Sequence, residues 1–195
     1  MLRLSSSYEA CQPNIVVPKS APTNGWILNI LSNWHDYSWF GLGGNCGDVH
    51  SALARARTLI ESIGTGPLQV SKLYRSEPWG YTDQADFINQ VVGIMPDMTV
   101  DDAFRRLQQF ERAEGRERTI KWGPRKIDID ILYWPGQVRA DESLTIPHPR
   151  LHERRFVLAP WAELAPDLMI PGLNRPVSDL LETCGDGSWL EPFSP

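Results

Sequence analysis

Two hydrophobic periods, one of two residues and one of three to four, alternate along the chain and lay out its elements. Tyr37 to Gly43 is an apolar and aromatic run of strand length, ended by Gly43, Gly44 and Gly47 in a turn that calls for permissive backbone. Asp48 then stands where it can cap a helix. Val49, Leu53, Ala56, Ile60 and Ile63 form one apolar stripe, stopped by Gly64 and Gly66. A second strand is expected at Leu68 to Tyr74, and a third at Phe87 to Met95, broken by Pro96. Thr99 and Asp102 make a near capping box for a second helix, whose stripe is Phe104, Leu107 and Phe110 and whose stop is Gly115. The last strand, Lys126 to Trp134, puts Ile127, Ile129 and Ile131 on its buried face and Asp128 and Asp130 on the other.

The order strand, helix, strand, strand, helix, strand is the ferredoxin-like βαββαβ arrangement, an α+β fold with an antiparallel sheet and its helices on one face. Beyond Ser143 the chain is Pro-rich, with short helical pieces at Phe156 to Glu163 and Ser178 to Thr183, the latter with Ser178 as its cap. Residues 1–36 differ in character. Ser, Asn and Pro are frequent there, periodicity is weak, and only Trp26 to Leu31 is apolar, so this stretch reads as an appended extension, weakly structured or docked on a body of residues 37–195.

Composition narrows the functional classes. With 195 residues, 42% apolar and 22% charged, the chain fits one domain of ordinary globular balance. The net charge of -5 and the lack of a Lys/Arg block argue against a nucleic-acid binder. Cys11, Cys46 and Cys184 are odd in number and widely spaced, as expected of free thiols in a reducing cytoplasm. No apolar run suits a membrane span or a signal peptide.

The chemistry concentrates around the last strand. Asp128 and Asp130, two apart, present oxygen ligands side by side, as a Mg²⁺ site sharing its cation with substrate phosphates would need. Two solvated acids on an edge strand are the alternative, and this segment alone leaves it open. Just upstream, Arg116, Arg118, Lys121 and Arg125 form a cationic loop around Trp122, and arginine forks match phosphate oxygens. Downstream, IPHPRLHERRF braces His148 and Arg154 with Pro147 and Pro149; zinc ligation by its histidines lacks a third ligand at a suitable spacing. Phe87 and Asn89 share a strand face, an aromatic ring beside an amide edge that could stack on and read a heterocycle. The loop GLGGNCGD matches neither phosphate-binding glycine pattern and reads as a tight strand-to-helix turn.

The segments GLGGNCGD, LYRSEPWGYTDQADFIN, FERAEGRERTIKWGPRKIDIDIL and IPHPRLHERRFVLAPWAELAPD, in this order, resemble 6-hydroxymethyl-7,8-dihydropterin pyrophosphokinase of folate biosynthesis over roughly residues 38–172. The resemblance implies a ferredoxin-like fold and transfer of the diphosphoryl group of ATP to the pterin's primary alcohol, giving AMP. It implies that Asp128 and Asp130 hold two Mg²⁺ ions. By the same resemblance Arg116, Arg118 and Arg125 bind phosphate, the first two on a loop that closes over ATP. Gln108, Glu111, Trp122, His148 and Arg154 fall on the nucleotide side. Phe87 and Phe156 sandwich the pterin, Asn89 bonds its edge, and backbone around Ser76, Glu77 and Trp79 completes the pocket. Three departures stand out: a glycine where the family more often has serine before Asn45, Phe87 at a position that can be tyrosine, and the N-terminal extension.

The partners implied are the two small substrates, with no nucleic acid, no membrane and a monomeric state. A nucleotide-sugar transferase would also use D-x-D, but needs a longer nucleotide-binding domain. An RNA-recognition domain shares the element order, yet would show exposed strand aromatics and a basic surface. A member that binds pterin without turnover would not need the acid pair.

Overall fold

The computed structural model describes residues 33–115 and 123–194. The expectations placed on residues 1–32, and on Arg116, Arg118, Lys121 and Trp122, lie outside them. A 3₁₀ turn, Trp34–Asp36, opens the described body, and its Trp34 carbonyl accepts from Trp39 Nε1 at 3.2 Å.

Strand β1, Ser38–Gly44, leads into helix α1, Val49–Glu61, through a turn in which Gly47 alone has positive φ. Asp48 caps α1 by accepting from the Ser51 N–H at 3.0 Å. Strand β2 is Gly64–Val70 and β3 is Leu73–Ser76, so the single strand expected at 68–74 is in fact two. The break falls at Ser71. There the Ser71 carbonyl accepts from Gln90 Nε2 at 2.8 Å and its hydroxyl oxygen accepts from the Val91 N–H at 3.0 Å. Those side chains satisfy backbone that a continuous ladder would otherwise have to pair.

Strand β4, Phe87–Pro96, pairs antiparallel with both pieces, and helix α2, Val100–Ala113, follows. Thr99 caps α2, accepting from the Asp102 N–H at 3.2 Å and donating to Asp102 Oδ2 at 2.7 Å. Strand β5, Asp128–Tyr133, pairs antiparallel with β1, which in turn pairs antiparallel with β4. Two short ribbons come next, β6 (Arg139–Ala140) with β7 (Thr145–Ile146), then, after helix α3 (Arg155–Leu164), β8 (Met169–Ile170) with β9 (Arg175–Pro176). Helix α4, Val177–Glu182, starts one residue before Ser178, which is therefore not its cap. Its first N–H groups, of Val177 and Ser178, donate instead to the carbonyls of Leu168 and Pro166 at 3.1 and 3.0 Å. The last strand, β10 at Leu190–Phe193, was not foreseen; it pairs antiparallel with β3.

The main sheet runs β10-β3-β4-β1-β5, with β2 also on β4. Its two faces carry separate cores. Phe40, Leu42, Val92, Ile94, Ile129 and Ile131 pack with α1 and α2, whereas Trp39, Val91 and Leu132 pack with Val157, Leu158 and Trp161 of α3 and Val177 and Leu180 of α4. Helices thus cover both faces rather than the one expected, because the strands' alternate side chains are apolar on both sides. Each fully buried large apolar side chain contributes about 1.5–3 kcal/mol to holding these layers together. Among the described residues no helix is long and apolar enough to cross a membrane.

Candidate active site

The second face of the sheet is not filled along its whole length, and the register shows why. Gly43 lies between Asn89 of β4 and Asp128 of β5, and Gly41 between Val91 and Asp130. These residues project to the α3 side, so two glycines make a floor with taller walls left and right. A Cβ at Gly43 would sit 3.1 Å from Asn89 Oδ1, and one at Gly41 3.4 Å from Leu132 Cδ2. One step further, fully buried Trp39 fills the corresponding position and closes the floor. The resulting cleft is lined by Gly41, Gly43, Ser76, Glu77, Trp79, Phe87, Asn89, Arg125, Asp128, Asp130, Arg154 and Phe156.

One wall is ionic. Arg125 Nη1 donates to Asp128 Oδ2 at 2.6 Å, and Arg154 Nη1 donates to Asp130 Oδ2 at 2.8 Å. The acids are therefore not idle edge-strand charges, although β5 is the edge of the sheet. The Nε atoms of both arginines are buried with no hydrogen-bond partner among the described residues. A buried guanidinium N–H without an acceptor is costly, so each arginine's placement rests on its ion pair with the neighbouring acid. The opposite wall is aromatic: Arg125 lies over the Phe87 ring at 5.3 Å, and Arg154 over the Trp79 and Phe156 rings at 5.7 and 5.8 Å. On the same wall as Phe87, Asn89 is 4% exposed and its Nδ2 donates to Ser76 Oγ at 2.9 Å, which turns its Oδ1 toward Gly43 and the cleft.

His148 stands behind the ionic wall. Its Nε2 is 3.8 Å from Asp130 Oδ2 and 3.4 Å from Arg154 Nη1, while Nδ1 accepts from the Arg150 N–H at 3.2 Å. Burial pushes its pKa below the ordinary 6.5, and the Arg154 and Arg150 charges push the same way against Asp130 and Asp128.

The family model described as 7,8-dihydro-6-hydroxymethylpterin-pyrophosphokinase (HPPK) matches residues 39–166, which hold the cleft floor, both acids and both arginines. The chain belongs to the HPPK family. The 2-amino-4-hydroxy-6-hydroxymethyldihydropteridine pyrophosphokinase of Methylorubrum extorquens is 43% identical over 136 residues, 69% of this chain and 86% of that one. The protein of the same name from Mycobacterium bovis is 39% identical over 153 residues, 72% of this chain and 79% of that one. Among solved structures, Plasmodium falciparum HPPK-DHPS wild type with pteroate superposes with a TM-score of 0.59 at 14% identity. The match covers 75% of this chain but only 44% of that longer one, and it bears on the fold alone.

Of the residues singled out from the HPPK resemblance, Ser76, Glu77, Trp79, Phe87, Asn89, Arg125, Asp128, Asp130, Arg154 and Phe156 meet in this cleft. Gln108 and Glu111 do not line it. Gln108 is half-buried on α2, and buried Glu111 accepts from the Ile129 N–H at 2.8 Å, tying α2 to the strand that carries the acids. The Glu77 carboxylate is turned outward, accepting from the Trp189 N–H at 2.9 Å.

The pattern of the glycine loop predicts a turn only. Gly41 and Gly43 instead form the cleft floor, and Gly44 permits a close backbone approach, since a Cβ there would lie 2.2 Å from the Lys126 carbonyl oxygen. Asn45 was passed over as well. Its Oδ1 accepts from the Arg125 N–H at 2.9 Å, and its Nδ2 donates to Gln84 Oε1 and the Ala85 carbonyl, both at 2.9 Å. One amide thus joins the Arg125 segment to the loop that precedes Phe87. The available signal was an amide directly after three closely spaced glycines, where a side chain can reach backbone on either side.

Proposed function

We infer that the cleft catalyses the HPPK reaction: transfer of the diphosphoryl group of ATP to the hydroxyl of 6-hydroxymethyl-7,8-dihydropterin, giving AMP and the pterin diphosphate in the tetrahydrofolate pathway. The observation that carries this reading is the pairing of an acid–arginine wall with an aromatic–amide wall across a glycine floor. Phosphates need the first and a planar heterocycle needs the second. The strand order, with α1 and α2 as the crossing helices, supports a ferredoxin-like βαββαβ core to which α3, α4 and β10 are added.

Phe87 and Phe156 take the two faces of the pterin, and Asn89, its donor committed to Ser76, offers Oδ1 to an N–H on the pterin edge. Ser76, Glu77 and Trp79 supply the surrounding backbone. Arg125 and Arg154, which line the cleft, offer their positive charge to phosphate oxygens. Gln108, Glu111, Trp122 and His148 are assigned to the nucleotide side, and Arg116 and Arg118 to the phosphates, on the family resemblance.

The donor set suits two Mg²⁺ ions. Asp128 and Asp130 are oxygen ligands on one face, and among the described residues no group of three or more His, Cys, Asp or Glu surrounds a metal position, which leaves the other coordination sites to phosphate and water. Asp128 and Asp130 would hold Mg²⁺, which would supply charge neutralisation on the triphosphate and Lewis-acid polarisation of the hydroxyl. Asp128 and Asp130 fix where donor and acceptor meet, the arginines hold the charge that builds on the phosphate oxygens, and the aromatic wall keeps the alcohol facing them. Alignment and neutralisation carry the transfer without a dedicated general base.

Replacing Asp130 by Ala tests this assignment. Turnover is expected to fall by about 10²-fold or more while the circular dichroism spectrum is retained; unchanged turnover would remove Asp130 from the site.

A further inference from the structure

The segment after α4 plays no part in the chemistry above, yet it touches two elements that border the cleft, the start of α3 and the end of β3. Helix α3 starts at Arg155, and its N-cap residue Arg154 makes no side-chain cap because a guanidinium has no acceptor to offer a helix N–H; it donates to Asp130 instead. The first helical N–H, that of Arg155, donates instead to Asp186 Oδ2 at 3.1 Å. The other oxygen of Asp186 accepts from the Ser188 N–H at 3.0 Å, closing a tight turn, and the next N–H, of Trp189, donates to Glu77 Oε1 at 2.9 Å. From there β10 runs along β3 with Leu190 opposite Ser76, and Arg75 clamps it, 5.5 Å over the Trp189 ring and 2.6 Å from Glu191. A single turn thus connects the start of α3, which carries Phe156, to the end of β3, which carries Ser76 and leads into Glu77.

We propose that Asp186 is a positioning residue for the pterin: its carboxylate caps α3 from a distant segment and so fixes the height of the Phe156 ring over the cleft. A carboxylate suits this place because it satisfies an N–H that has no carbonyl partner within the helix and because its charge complements the helix dipole. Arg154 has a second anchor in Asp130, so loss of the cap falls mainly on Phe156. Small displacements of a positioning group have large kinetic effects.

This rests on Phe156 being a wall of the pterin pocket, and the test separates the two claims. Initial rates are measured for wild type, Asp186→Ala, Asp186→Asn and Phe156→Ala, varying 6-hydroxymethyl-7,8-dihydropterin and MgATP in turn. Asp186→Ala is expected to raise the KM for the pterin about tenfold while the KM for ATP moves less than about twofold. Asp186→Asn, whose amide oxygen still accepts from Arg155, recovers most of that loss. A pterin KM unchanged in Asp186→Ala, both KM values rising together, or an Asn variant no better than Ala would overturn the proposal. If Phe156→Ala raises the pterin KM and Asp186→Ala does not, the positioning role alone fails. If Phe156→Ala leaves the pterin KM unmoved, the pocket reading fails and takes the proposal with it.

Discussion

At Asp130 one carboxylate oxygen faces the Arg154 guanidinium at 2.8 Å and the His148 ring at 3.8 Å. Burial, helped by the Arg154 charge and opposed by Asp130, makes His148 the natural pH reporter of the site. Its folded pKa is depressed below 6.5, so between the two values the unfolded chain binds more protons than the folded one. Stability from a neutral His148 is therefore complete above about pH 6.5 and is lost as the pH falls toward the folded pKa. Denaturant midpoints measured near pH 7.5 and pH 5.5 should show a smaller acid-side loss in His148→Gln than in wild type; equal losses would mean that the imidazole is not desolvated. The acid pair and the Phe87/Asn89 pair were legible because a strand repeats every two residues, and that period alone puts each pair on one face. Gly41 and Gly43 were not, since a glycine near a strand end reads as a turn until the residues opposite it are known. Asp186 left no local signal, because its partner lies 31 residues away in the chain.

Among the elements, β1 and β4 decide where the cleft stops. Gly93 of β4 stands opposite Trp39 of β1, and a Cβ there would fall 2.6 Å from the Trp39 ring. The ring cannot retreat, being fully buried and 6.1 Å, centroid to centroid, from Trp161. Gly93→Ala should therefore cost about 1–3 kcal/mol by overpacking, seen as a lower urea midpoint with unchanged slope. An unchanged midpoint would show that Trp39 is not held as described. Helices α1 and α2 were readable because their caps, Asp48 and Thr99, and their apolar stripes agree with each other. The division of β2 from β3 was not, since it depends on Gln90 reaching Ser71 from a neighbouring strand. For α4, the carbonyls that satisfy its first turn come from the loop after α3, so the capping signal at Ser178 misled by one residue.

For the molecule as a whole, function follows from a sheet covered on both faces but not equally. α1 and α2 seal one face along its length, while α3 and α4 leave the glycine-floored end of the other open. The antiparallel sheet and its first two helices were written in the order of hydrophobic periods. The helices of the second layer were legible to within a residue or two, at Phe156 to Glu163 and Ser178 to Thr183, but the face they cover was not, because their partners Trp39, Val91 and Leu132 lie far off in the chain. That layer brings Phe156 and Arg154 over the acids and so joins a heterocycle pocket to a phosphate pocket. The most direct test of this joint site is the identity of the nucleotide product. The protein is incubated with ATP, Mg²⁺ and 6-hydroxymethyl-7,8-dihydropterin, and the phosphorus NMR spectrum is followed with time. AMP and the pterin diphosphate appearing in equal amounts, and only when the pterin is present, is the result expected; ADP as the product, or no pterin-dependent consumption of ATP, would contradict the account.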